Sequence, residues 1–133
     1  MLDAALSNRL AAILPREAWL TADEDTRPYE CDGLTLYRTR PAAVALPRNE
    51  AEVVAVLKAC HDARVPVTAR GAGTGLSGGA TPDANGVLLS LAKLSRILAI
   101  DPASQSAVVE PGVRNLAITE AAAAHGLYYA PDP

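Results

Sequence analysis

The 133-residue sequence has no phenylalanine, one tryptophan and one methionine. Aromatic side chains therefore cannot dominate a core. Half the residues count as hydrophobic, but much of that half is alanine, so the buried volume must come from Leu, Val and Ile. Charge is nearly balanced: 15 acidic and 12 basic residues leave a net −3, and no basic block stands out. That argues against nucleic acid as a partner. No apolar stretch approaches the ~20 residues of a membrane span. The amino terminus lacks the basic-then-apolar pattern of a secretory signal. The expectation is a soluble, cytoplasmic chain.

Side chains that could carry metal or nucleophilic chemistry are as scarce. The two cysteines, Cys31 and Cys60, stand far apart and outside any CxxC spacing, which reads as reduced thiols. His61 and His125 have no second ligand at metal spacing, and read as a helix-surface residue and a charge partner at a helix C-terminus. No Ser-His-Asp or Cys-His pairing can be assembled. No metal and no catalytic residue are assigned.

What is present is an alternation of short elements. Leu2, Leu6, Leu10, Ile13 and Leu14 recur at helical spacing until Pro15. Residues 21–40 are polar and read as an extended lead-in. Residues 43–46 form a buried strand closed by Pro47. Asn49 then caps a helix with Glu52 at its third position, the capping-box pattern. Val53, Val56, Leu57 and Cys60 mark one face of that helix, and residues 65–69 form a second strand. Together these make a βαβ unit. Residues 87–91 read as a third strand. Residues 97–100 and 107–110 pair as a hairpin around the Asp101-Pro102 turn, ended by Pro111 and Gly112. An Ala-rich helix over 115–125 stops at Gly126. The fold class is α+β: a small parallel βαβ sheet flanked by helices, followed by a β-hairpin and a helix. Residues 1–40 are read as an N-terminal helix and lead-in, and 41–133 as the ligand-binding domain.

Five glycines fall between positions 71 and 79, directly after the second strand. Glycine at this density carries a heavy entropic cost unless a ligand or an unusual backbone requires it. Successive exposed N–H groups form a concavity for anions, phosphate above all. Gly73, Gly75 and Gly78 match the GxGxxG dinucleotide fingerprint, but that fingerprint needs a helix opening within the motif. Here Gly79 and Pro82 lead into another turn and strand instead. A Walker A loop needs a lysine that is absent. The loop N–H groups must hold phosphate themselves, with Thr74 and Ser77 able to add hydroxyls. Arg70 opens the loop, either beside the ligand, as a brace, or as a solvated strand end. Asp132 lies between two prolines, which suits a rigid ligand wall or a simple turn. Tyr128 and Tyr129 suit packing over a ring or within a core.

The run 66–79 resembles the pyrophosphate loop of vanillyl-alcohol-oxidase-type (PCMH-type) FAD-binding domains. Segments 29–34, 86–91, 109–115 and 126–133 narrow this to the FAD-binding catalytic subunits of bacterial glycolate oxidases, among the D-2-hydroxy-acid dehydrogenases. The resemblance implies FAD as cofactor, with Arg70, Gly71, Ala72, Gly73, Thr74, Gly75, Leu76, Ser77, Gly78 and Gly79 around its pyrophosphate. It implies Glu110, Pro111, Gly112 and Val113 near the adenosine, and Pro131 and Asp132 at the start of a segment along the flavin. It implies oxidation of a small 2-hydroxy acid to the 2-oxo acid with hydride transfer to flavin N5. Its implied partners are a second flavin subunit and an iron–sulfur subunit, through which the protein could lie peripheral to the inner membrane.

Family members continue past residue 133 into a second glycine-rich loop and a substrate-binding cap, so the chain is read as an N-terminal fragment. The groups that bind the hydroxy acid and take its proton are expected in that cap. Two alternatives stay open: an inactive fragment with at most weak nucleotide binding, and another FAD-linked oxidoreductase such as a wall-precursor reductase.

Overall fold

The leucine spacing near the amino terminus produces α1 (Ala4–Ile13), which buries Leu6 and Leu10. In the computed structural model, which describes residues 2–131, the chain divides into two compact units with the boundary between Lys93 and Leu94. α1 belongs to the first unit and packs on α3 (Glu50–Asp62). Asn49 caps α3, its Oδ1 accepting from the Glu52 N–H at 2.9 Å. The reciprocal half of the box slips by one residue, because Glu52 Oε2 accepts from the Arg48 N–H at 2.8 Å. Val56, Ala59 and Cys60 form the buried face of α3. Burial pushes the Cys60 thiol up from its ordinary value.

The helices cover a four-stranded sheet. Its strands are β1 (Trp19–Leu20), β2 (Ala43–Ala45), β3 (Val67–Arg70) and β4 (Val87–Ser90), in the spatial order β1-β2-β4-β3. β1 runs antiparallel to β2, and the other pairings are parallel. β2 and β3 are thus not neighbours: β4 lies between them, in register Val44↔Leu88 on one side and Thr68↔Leu88 on the other. The physical reason lies in the side chains. β4 opens with three apolar residues, Val87, Leu88 and Leu89, and is buried throughout, as suits a central parallel strand. β3 follows Pro66, carries Thr68 and Arg70, and takes the partly exposed edge.

Residues 21–40 are not simply extended. They hold α2 (Asp23–Thr26) and a 3-10 turn (Arg27–Tyr29). Asp23, Glu24 and Asp25 occupy the first turn of α2, where carboxylates suit the helix dipole, and Pro28 sits early in the 3-10 turn. β1 carries no pattern long enough to announce it. It exists because Trp19 and Leu20 add to the edge of β2.

The second unit contains a hairpin of β5 (Ile97–Asp101) and β6 (Ser106–Val109), with a bulge between Ile97 and Ala99. Asp101 organises its turn: Oδ1 accepts from the Ala103 N–H at 2.9 Å and Oδ2 from the Ser104 hydroxyl at 2.7 Å. α4 (Asn115–Ala122) follows, then a 3-10 turn (Ala123–His125). Gly126 stops it at φ 70°, the left-handed conformation glycine adopts most easily.

Candidate functional site

Residues 71–86 connect β3 to β4 without a helix, so the glycine loop leaves the carboxyl end of a parallel strand. Ligands commonly bind there in open α/β sheets. Arg70 pairs with Ser90, and the Leu91 N–H donates to the Arg70 carbonyl at 2.8 Å, which anchors the loop's first residue to the central strand.

Beyond that anchor the loop makes few bonds of its own. No N–H between Gly71 and Ala80 donates to an acceptor among the described residues; the next donor is Thr81, to the Gly78 carbonyl at 3.1 Å. Gly73 and Gly78 take φ of 75° and 77°. A Cβ on Gly71, Gly75 or Gly79 would meet nothing within 4 Å. Thr74 and Ser77 are exposed, as is Leu76. The segment is a run of unpaired donors with open space at its glycines, the arrangement an anion cradle requires.

A wall flanks it that the sequence reading did not assign to the site. A Cβ on Gly33 would lie 2.7 Å from the Thr74 carbonyl oxygen and 3.1 Å from that of Gly75, so residues 32–34 press on the loop backbone. Asp32 shapes this segment, its Oδ1 accepting from the Leu34 N–H at 3.0 Å. Arg70 joins the same wall. Its Nη1 donates to the Cys31 carbonyl at 2.6 Å, and its guanidinium lies over the Tyr29 ring, 5.6 Å from the centroid. Two buried side-chain atoms lack a partner among the described residues, Asp32 Oδ2 and Thr81 Oγ1, and both border the glycine loop. Only the Asp32-Gly33 pair hints at a tight turn in the sequence. No periodicity reports a contact across so many residues.

The residues expected near the adenosine lie in the second unit, and their polar groups are largely spent. Glu110 Oε1 accepts from Arg96 Nε at 2.9 Å and Nη2 at 2.7 Å, and its Oε2 accepts from the Arg96 N–H at 2.7 Å. These bonds from Arg96, first the side-chain pair and then the backbone one, hold the Glu110 carboxyl below its usual range. The Gly112 N–H donates to the Leu94 carbonyl and that of Val113 to the Glu110 carbonyl. Residues 110–113 are thus a closed turn, unlike the open glycine loop. Tyr128, Tyr129 and Pro131 line a cleft of about 490 Å³ with Ala107, Ile118 and Ala122. Asp132 lies outside the described residues.

A second cleft, about 610 Å³, is lined by Leu14, Trp19, Leu20 and Asp25 and contains no glycine-loop residue. Its position does not match the run of unpaired donors, and we place the site at the donors, because a phosphate is recognised by hydrogen bonds and not by volume. Among the described residues no group of three or more His, Cys, Asp or Glu side chains could hold a metal ion. Among these residues, too, no helix is long and apolar enough to cross a membrane.

Comparison with known proteins agrees with this geometry. The family model described as an FAD binding domain matches residues 41–133. The glycolate oxidase subunit GlcD of Escherichia coli (strain K12) is 60% identical over 114 residues, covering 86% of this chain and 23% of that protein. A D-lactate dehydrogenase of Anaerostipes hadrus is 36% identical over 115 residues, covering 86% of this chain and 24% of that protein. The chain thus spans about a quarter of the length of these curated relatives. Among solved structures, p-cresol methylhydroxylase superposes with a TM-score of 0.80 at 24% identity, over 92% of this chain and 25% of that one.

The residues present fit the dinucleotide. A pyrophosphate needs several N–H donors at close approach, and residues 71–80 offer unpaired ones with open space at Gly71, Gly75 and Gly79. The sheet, the loop and the family match converge on one conclusion: the chain belongs to the FAD-binding-domain family, with the PCMH-type fold and FAD as its cofactor.

Proposed function

We propose that the intact polypeptide carrying these residues is an FAD-dependent dehydrogenase that oxidises a small 2-hydroxy acid, of glycolate or D-lactate type, to the 2-oxo acid. The observation that carries the reading is the run of unpaired N–H groups over residues 71–80. The substrate class is supported by the relatives, named as a glycolate oxidase subunit and a D-lactate dehydrogenase.

Bound FAD would supply the two-electron acceptor chemistry, with hydride transfer to its N5. The part of this chain is to bind and orient. The N–H groups of residues 71–79 hold the pyrophosphate, and Thr74 and Ser77 add hydroxyl donors. Residues 110–113 stand by the adenosine with their backbone N–H groups already paired, so they contribute shape and not N–H donors. Pro131 and Asp132 open the stretch along the flavin. A second flavin-binding chain and an iron–sulfur chain are the proposed partners that carry electrons onward and bring the protein to the inner membrane.

The test is a fluorescence titration of the intact polypeptide with FAD, followed by anaerobic addition of glycolate and of D-lactate while flavin absorbance is recorded. Saturable FAD binding and loss of absorbance with either acid are expected. Tight FAD with no response to any small 2-hydroxy acid would overturn the substrate class. Absence of FAD binding would overturn the whole reading.

A further inference from the structure

Arg70 opens the loop, and binding a phosphate would be its obvious role. Its surroundings indicate another. The guanidinium occupies the position where a Cβ of Gly73 would stand, so it lies flat against the loop backbone. The same guanidinium lies over the Tyr29 ring and donates to the Cys31 carbonyl. Gly33, two residues further on, closes on the Thr74 carbonyl. One flank of the loop is therefore filled by Arg70 and the segment 29–33. The open space lies elsewhere, at Gly71, Gly75 and Gly79.

We propose that Arg70 is a positioning residue: a strut that clamps segment 29–33 to the glycine loop and fixes Gly73 in its left-handed conformation, without touching the pyrophosphate. Each contact needs a planar, delocalised cation. A guanidinium can stack on a ring, lie against a peptide and donate in its plane to a carbonyl at once, whereas an ammonium is a point charge that cannot. The strut also explains why Gly73 tolerates no side chain, since the guanidinium already fills that volume. Segment 29–33 thereby becomes part of the cofactor site although it need not contact the cofactor.

The inference rests on the FAD-binding role proposed above, and the test separates the two. FAD dissociation constants are measured over a salt series for the intact wild-type polypeptide and for Arg70→Gln, Tyr29→Leu, the double variant and Arg70→Lys. The expected result is a weakening of about 10- to 100-fold for Arg70→Gln with an unchanged salt dependence, because no phosphate partner has been lost. Tyr29→Leu weakens binding in the same direction. The double variant falls short of the product of the single effects, because both break one contact. Arg70→Lys restores less than half of the lost binding free energy despite its charge.

A flatter salt dependence in Arg70→Gln, multiplicative effects in the double variant, or full rescue by lysine would each overturn the strut. If Arg70→Gln does not fold, Tyr29→Leu and Arg70→Lys decide the matter alone. The strut then requires weaker FAD binding in both, and wild-type affinity in either refutes it. A wild-type chain that binds no FAD refutes the cofactor role instead.

Discussion

A single methyl group at Gly75 tests whether the open space on the loop belongs to a ligand. A Cβ there meets no atom within 4 Å, and the φ of Gly75 lies outside the left-handed region. In the protein without cofactor, Gly75→Ala therefore creates no clash. It restricts the unfolded chain, which stabilises by about 0.4–1 kcal/mol. The apo Tm should hold or rise by up to about 4 °C. With FAD the sign reverses. If the pyrophosphate uses that space, the methyl overpacks it at about 1–3 kcal/mol, equal to about 5- to 150-fold in Kd. The assay is a pair of measurements on the intact polypeptide: a thermal melt without FAD and a fluorescence titration with it. Gly33→Ala is the contrasting variant, since its Cβ would lie 2.7 Å from the Thr74 carbonyl oxygen. There stability and affinity should fall together. A Gly75→Ala protein with an undisturbed melt and an FAD affinity within twofold of wild type would refute the placement of the phosphate on this face.

Three further outcomes follow from other parts of the molecule. Glu110 titrates below its usual range when folded, so the unfolded carboxylate takes up its proton first as pH falls. The contribution of the Arg96 pair is complete above the ordinary carboxylate value near about pH 4 and is lost as pH drops through the lower folded value. Acid unfolding of Glu110→Gln should show a shallower pH dependence below about pH 4, and parallel acid limbs would contradict this. Leu10→Ala removes a fully buried side chain from the first unit and should cost about 2–5 kcal/mol in denaturant unfolding. A loss below ~1 kcal/mol would mean that α1 is not part of that core. Asn49→Ala removes the acceptor for the Glu52 N–H and should cost about 1 kcal/mol, with no change in FAD affinity.

Legibility in the sequence followed the range of the interactions. α3 was readable because its cap and its end lie within 14 residues of one another, from Asn49 to Asp62, although Leu57, expected on its apolar face, is exposed and Ala59 is buried in that face. The hairpin was readable from the Asp101-Pro102 turn between two β-branched runs, and the end of α4 from Gly126. The glycine loop announced itself by a composition that has no other economical use. These are local consequences of backbone geometry, and 3.6- or 2-residue periodicity records them directly.

What depended on distant neighbours stayed hidden. β1 is two residues long and acquires its conformation from β2. The insertion of β4 between β2 and β3 was decided by competition for the buried centre, which Val87, Leu88 and Leu89 win over a strand carrying Thr68 and Arg70. The resemblance implied Glu110 near the adenosine, but only the fold shows Arg96 held against it. Arg70 was open to a functional role, as ligand or brace, or a solvated one until Tyr29, Cys31 and Gly73 were seen around it. The residues alone pointed to a backbone loop suited to phosphate, because glycine density and the absence of a lysine are local facts. Which side of that loop is open and which is clamped was settled only by tertiary packing, because the clamp joins residues 39 positions apart through a contact that no local pattern encodes.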